Sequence, residues 1–263
     1  MKNFLSIDQG TTSSRSIIFD ANLNLVTDAQ EEYDLTYPED GWVELEPKKI
    51  IETVTNTLNK VVSADIGIEA CGITNQRETT IVWSKSTGEA IYPGIVWQDR
   101  RTHEYCSYLK SNGHEPVIKE KTGLLLDPYF SATKIKWILD NVEGAREKAS
   151  KGELLFGTVD SYLIYMLSKE KNHFTDVTNA SRTLLFNIKS MEWDDELLEL
   201  FEIPKTMMPE VLSCDGDFGN LIINDCEIPI RGVIGDQQAA LVGQGCFNTV
   251  SYTHLTLPTS DLV

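Results

Sequence analysis

The chain has 263 residues and a mass of 29.5 kDa, enough to bury a sizeable core in one large domain or two small ones. With 41% hydrophobic and 24% charged residues it has the composition of a folded protein, not of a disordered one. Lys and Arg total 23 against 40 Asp and Glu, and the net charge of −17 argues against nucleic acid and anionic membrane as partners; placed amides and a few Arg can still hold an anionic ligand.

The first ten residues, MKNFLSIDQG, lack the apolar core of a secretory signal. Phe4, Leu5 and Ile7 lead a strand into a polar turn over residues 8–14, and residues 16–19 read as the next strand. Residues 20–24 form a hairpin turn before a strand over 23–27, which makes a β-meander. Pro47 suits the first turn of a helix over 48–63, whose Ile50, Ile51, Val54, Leu58, Val61 and Val62 share one face. A short strand follows at 69–74. Residues 79–84 and 90–97 flank Ser86-Thr87-Gly88 as a second hairpin, and 101–111 reads as a helix.

Further helices are expected over 131–142 and 161–167, the latter capped by Asp160, with a strand at 154–158 between them. Residues 193–201 read as a helix with Asp194 and Asp195 at its positive end, and 230–234 as a strand ending at Gly235-Asp236. A meander followed by β/α units predicts an α/β domain with a mixed sheet. The last stretch, 250–263, has no clear period and points to a non-native tail of the kind left by cloning or sequence assembly. No apolar run reaches the roughly 18 residues of a membrane span. The five cysteines are scattered without a CxxC pair, which predicts a reducing, cytoplasmic setting, and the four histidines have no metal-like spacing.

Three segments could carry chemistry. In the first, Asp8 is followed by Gln9, Gly10, Thr11, Thr12, Ser13, Ser14 and Arg15. Gly10 allows a sharp turn, so amides and hydroxyls can converge on phosphate oxygens. Asp8 could hold Mg²⁺ through water, and Arg15 could neutralise phosphate. A plain polar hairpin turn explains the same residues. There is no G-K-[ST], so this is not a Walker A loop, and the protein-kinase signatures are also missing. In the second, Arg77 and Glu78 lie in a polar stretch between two apolar strands; Arg donates and Glu accepts, which suits a ligand rich in hydroxyls. A surface turn with an exposed ion pair is the alternative. In the third, Asp236 stands where a strand meets a helix, a good position for a general base and equally for an N-cap. Trp97, Tyr129 and Phe130 could wall a small-molecule pocket or simply pack in the core.

Taken in order, the strings DQGTTSSR (8–15), GWVELEP (41–47), GITNQRETTIVW (72–83), IVWQDRRT (95–102), DPYFSATKIKWILD (127–140), GELLFGTVDSYL (152–163), TNASRTLLFNI (178–188) and GDQQAALVGQ (235–244) resemble the FGGY carbohydrate kinase family, and within it the members that act on glycerol. The resemblance runs to about Phe247. It implies an actin-like ATPase, ribonuclease H-like α/β fold with a mixed sheet flanked by helices, with residues 1–249 as the N-terminal of two domains and 250–263 outside the family pattern. It also implies an ATP-dependent kinase that transfers the γ-phosphoryl group to glycerol to give sn-glycerol 3-phosphate, with ATP and Mg²⁺, in the cytoplasm, and with homo-oligomers in the full-length protein. Residue by residue, Arg77, Glu78, Trp97, Tyr129, Asp236 and Gln237 match glycerol-pocket positions, with Asp236 the catalytic base. Thr11, Thr12, Ser13 and Arg15 match nucleotide-phosphate contacts, and Asp8 the metal-associated position.

The second phosphate loop and second domain of the family are not matched after Asn248, so the isolated chain is expected to turn over ATP weakly or not at all. A regulatory His found before the GDQQ segment in some members has no counterpart in residues 217–229. A related sugar or polyol kinase, and a non-catalytic glycerol-binding fragment, are the competing expectations.

Overall fold

The structure is a computed structural model that describes residues 2–63 and 65–247; the tail expected at 250–263 lies outside the described residues. Asn3–Gln9 (β1), Ser13–Asp20 (β2) and Leu25–Glu32 (β3) form the antiparallel meander. After Glu44–Leu45 (β4), the helix Pro47–Val61 (α1) crosses to Ile68–Asn75 (β5), which lies parallel to β1. Ile81–Ser84 (β6) and Gly94–Ile95 (β7) precede four helices, His103–Ser111 (α2), Glu115–Thr122 (α3), Ser131–Asn141 (α4) and Ala145–Ser150 (α5). Leu154–Gly157 (β8), Val159–Leu167 (α6), Phe174–Asp176 (β9) and Val177–Ala180 (α7) follow, then Phe186–Asn187 (β10), Glu192–Trp193 (β11) and Asp195–Leu200 (α8). Glu210–Leu212 (β12), Asn220–Ile223 (β13), Cys226–Gly235 (β14) and Asp236–Gly243 (α9) complete the described chain.

The main sheet has the order β13-β14-β5-β1-β2-β3. Its centre, β14, β5 and β1, is parallel. Leu5 and Ile7 of β1 and Ile18 of β2 alternate inward against Ile50, Val54 and Leu58 of α1, all buried. The Glu46 side chain makes no cap to α1, so burial holds this helix, at about 1.5–3 kcal/mol per large apolar side chain. Two buried hydroxyl pairs, Ser14–Thr53 at 2.8 Å and Ser16–Thr57 at 2.9 Å, tie β2 to the same helix. A second apolar cluster gathers α2, α4 and α8 around β8.

Several local expectations change. The polar turn is only Gly10–Thr12, because Gln9 and Ser13 are already in the strand ladder. The 79–84/90–97 hairpin is reduced to the bridges Thr80↔Ile95 and Trp83↔Ala90, since β6 pairs with β8 and β7 with β4. Asp160 is inside α6 and Thr158 is its cap residue; the carboxylate is drawn inward by the hydroxyls of Thr158 and Thr175. Trp193 pairs with Phe186 in a strand, and α8 begins only after Asp194 caps it by accepting from Leu197 N at 3.1 Å. Among the described residues no helix is long and apolar enough to cross a membrane.

Candidate active site at the strand ends

The three parallel strands finish level. Asp8 of β1 stands opposite Thr74 of β5, which stands opposite Ile234 of β14, one residue before Gly235 and Asp236. Loops leaving the carboxyl ends of parallel strands are where an open α/β sheet places its ligand. Burial raises the pKa of Asp8; the Asp236 carboxylate raises it further, and Arg15 opposes both. The two acids therefore share one neighbourhood, although 228 positions separate them in sequence.

The turn after β1 is fixed from beneath. Tyr33 donates its hydroxyl to Gly10 O at 2.7 Å, and Gln9 Nε2 donates to the same oxygen at 2.7 Å. Above it, Thr11 Oγ1 accepts a hydrogen bond from Trp97 Nε1 at 3.0 Å. This joins a residue expected on the phosphate side to one expected on the glycerol side. Thr12 is exposed, and Ser13 Oγ accepts from Gln30 at 3.3 Å. Arg15 is in β2 opposite Asp8, and its guanidinium is paired with Asp28 of β3 at 2.7 Å.

Arg77 and Glu78 are buried, not exposed on a surface turn, and their partners are not each other. Arg77 donates to Gln237 Oε1 at 2.8 Å, and its Nε lies 3.6 Å from the Asp236 carboxylate. Glu78 accepts from Arg182 Nε at 2.6 Å. Burial still pushes the Glu78 pKa up, against the pull of Arg77 and Arg182. Glu78 also has φ +63, a left-handed backbone unusual for a residue with a Cβ.

Asp236 opens α9, with Gly235 as the cap residue and the Asp236 carboxylate accepting from Gln237 N at 2.7 Å. Gly235 N donates to Thr178 Oγ1 at 2.8 Å, and Thr178 in turn donates to Asp176 at 2.6 Å, so the strand–helix junction is anchored to α7. Desolvation at the strand ends raises the Asp236 pKa, although Arg77 and Arg182 pull it down. A half-exposed carboxylate with a raised pKa is suited to taking a proton from a bound hydroxyl.

Trp97 and Tyr129 pack with ring centroids 5.6 Å apart. Phe130 is in the core, with the Arg182 guanidinium 4.9 Å from its ring. The cavity of about 530 Å³ bounded by Lys85, Lys148 and Leu154 contains none of these residues. Arg182, Lys134 and Thr178 had no role assigned from sequence. The need of a buried acid for a cation was the available signal for Arg182, but it names no particular Arg.

The meander, the parallel centre and the site at the strand ends define an actin-like, ribonuclease H-like ATPase domain, as in the solved kinases that it resembles. Residues 3–243 match the N-terminal domain of the FGGY family of carbohydrate kinases, and the chain belongs to that family. It is 58% identical over 254 residues to a glycerol kinase of Alteromonas mediterranea, covering 94% of this chain and 51% of the relative. It is 56% identical to a glycerol kinase of Oceanobacillus iheyensis, with the same coverage. Its structure is similar to the crystal structure of Plasmodium falciparum glycerol kinase with ADP, at a TM-score of 0.90 and 35% identity, over 94% of this chain and 51% of that one. A xylulose kinase from Lactobacillus acidophilus shares the fold at a TM-score of 0.81 and 22% identity, over 93% of this chain and 50% of that one. The chain spans about half the length of the curated relatives it matches.

Proposed function

We propose that the protein carrying this domain is a cytoplasmic kinase that transfers the γ-phosphoryl group of ATP to glycerol, giving sn-glycerol 3-phosphate. Residues 1–249 form its N-terminal domain, and this chain tested by itself is expected to be a weak or inactive kinase. The observation that carries this is the meeting of Arg77, Asp236 and Gln237 at 2.8–3.6 Å beside the Trp97–Tyr129 pair. Glycerol is small and neutral, so it must be held by hydroxyl hydrogen bonds and an apolar wall. Arg77 donates to its hydroxyls, Glu78 and Asp236 accept from them, and the rings of Trp97 and Tyr129 cover its carbons.

Phosphoryl transfer needs alignment and charge neutralisation more than covalent chemistry. Asp236 takes the proton of the attacking hydroxyl as the new P–O bond forms, and its raised pKa improves it as a base. Thr11, Thr12, Ser13 and Arg15 contact the nucleotide phosphates in this reading, with Arg15 paired to Asp28. Asp8 and Asp236 are two neighbouring acids whose oxygens suit Mg²⁺, a cation that keeps several waters and takes one or two carboxylates. Mg²⁺ held by Asp8 through water would supply charge neutralisation at the phosphates. The test is calorimetry of glycerol binding to the chain, with ATP-dependent formation of glycerol 3-phosphate measured on the full-length protein. Tighter turnover of xylulose than of glycerol would overturn the substrate assignment.

A further inference from the structure

Lys134, near the start of α4, is fully buried yet has no carboxylate within ion-pair distance among the described residues. Its ammonium donates instead to two main-chain carbonyls, Tyr129 O at 2.7 Å and Glu78 O at 3.1 Å. These belong to the two loops that supply the acidic and aromatic sides of the candidate pocket. The Glu78 carbonyl also accepts from Ser131 Oγ at 3.3 Å and Thr80 Oγ1 at 3.2 Å. Three donors thus converge on the carbonyl of the residue whose φ of +63 is strained. A strained backbone persists only where its surroundings over-determine it. Here those surroundings turn the Glu78 side chain toward Arg182.

We propose that Lys134 is a positioning residue of the polyol site, which locks the Glu78 loop to the Tyr129 loop so that acid and aromatic wall face the same ligand. This rests on the glycerol-phosphorylating function above. Burial lowers the Lys134 pKa to about 7, and two carbonyl acceptors match the two N–H donors that even a neutral amine retains. A Lys at this place is therefore more than a filler of volume. Methionine would fill the same space and leave both carbonyls without this donor.

The test compares K134M and K134Q with I135A in the full-length protein. Ile135 is buried in the same helix, so I135A loosens the fold without touching either carbonyl. K134M is expected to raise KM for glycerol about tenfold or more while KM for ATP stays within about twofold, since only the polyol geometry is disturbed. K134Q, whose amide donors sit on a shorter side chain and reach the two carbonyls less well, is expected to fall between K134M and the parent, and it serves alone if K134M does not fold. Amide hydrogen exchange at residues 78–80 and 129–130 should accelerate in the Lys134 variants and not in I135A. An unchanged KM for glycerol, or both KM values rising together as in I135A, overturns the proposal. If the parent does not phosphorylate glycerol but the exchange pattern holds, the proposed function fails and the coupling of the two loops stands.

Discussion

Gly235 and Arg77 are packed so closely that a Cβ on Gly235 would lie 2.4 Å from Arg77 Cδ. The backbone of Gly235, at φ −60 and ψ 148, is open to any residue, so the requirement is for space and not for conformation. Gly235→Ala is expected to push Arg77 off Gln237, to cost about 1–3 kcal/mol of stability, and to weaken glycerol binding by about tenfold or more. Urea unfolding and calorimetry check the two effects; glycerol affinity equal to the parent's would show that the contact does not set the Arg77 position.

Asp236→Asn removes the proposed base and keeps a polar group of the same shape. In the full-length protein kcat should fall by about 10²–10⁴, with a smaller change in glycerol affinity. A base works deprotonated, and the Asp236 pKa is raised, so on the proposed role the acid limb of kcat/KM in the parent should lie above the ordinary carboxylate range. That limb should vanish in D236N, which a pH–rate profile would show.

Arg182→Met removes the ion-pair partner of the buried Glu78 carboxylate. Removing the ion-pair partner of a buried acid costs up to about 3 kcal/mol here, since Arg182 is part-exposed and Arg77 and Lys134 still pull on the Glu78 charge. Adding Glu78→Gln removes that charge, so the double variant should regain most of the lost stability while remaining poor at binding glycerol. A double-mutant cycle by urea unfolding reads the coupling directly, and strict additivity would contradict it.

Asp160 gives the fold a pH dependence of its own. Burial, with Asp176 next in effect, raises its pKa to about 7, so the folded state holds a proton that the unfolded chain loses near 3.8. Stability from this group is present below the unfolded value and is lost as pH rises through about 7. The stability of the parent relative to Asp160→Asn should therefore fall between pH 4 and pH 7 by about 3–4 kcal/mol and level off above, as followed by urea unfolding at each pH. A difference that stays flat over that range would remove Asp160 from the account.

The parts of the molecule that were legible are those with a physical period. β1, β5 and β14 alternate or run apolar and then stop at polar residues, so Asp8, Arg77 and Asp236 were found at strand ends. α1 announced itself through Pro47 and a clean apolar face. By contrast α3 buries only Ile118 and Thr122, too little to mark a period, and the pairing of β9 with β12 joins segments more than thirty residues apart. Arg182 sits in an ordinary polar string, and its partner Glu78 is 104 positions away. Lys134 reads as one more solvent-facing residue of an amphipathic helix, because nothing in sequence says that main-chain carbonyls of two loops will close over it.

The level finish of β1, β5 and β14 restricts how such a chain can drift in length. Its ladder shifts occur near the opposite ends, between Asn3 and Phe4 and between Ile230 and Gly232, and the pairing then runs regularly to the acids. Adding or deleting one residue above those points would rotate Asp8 or Asp236 to the reverse side of the sheet. Length variants selected from a random library should accordingly cluster in the Asp20–Asn24 hairpin and be missing from these three strands.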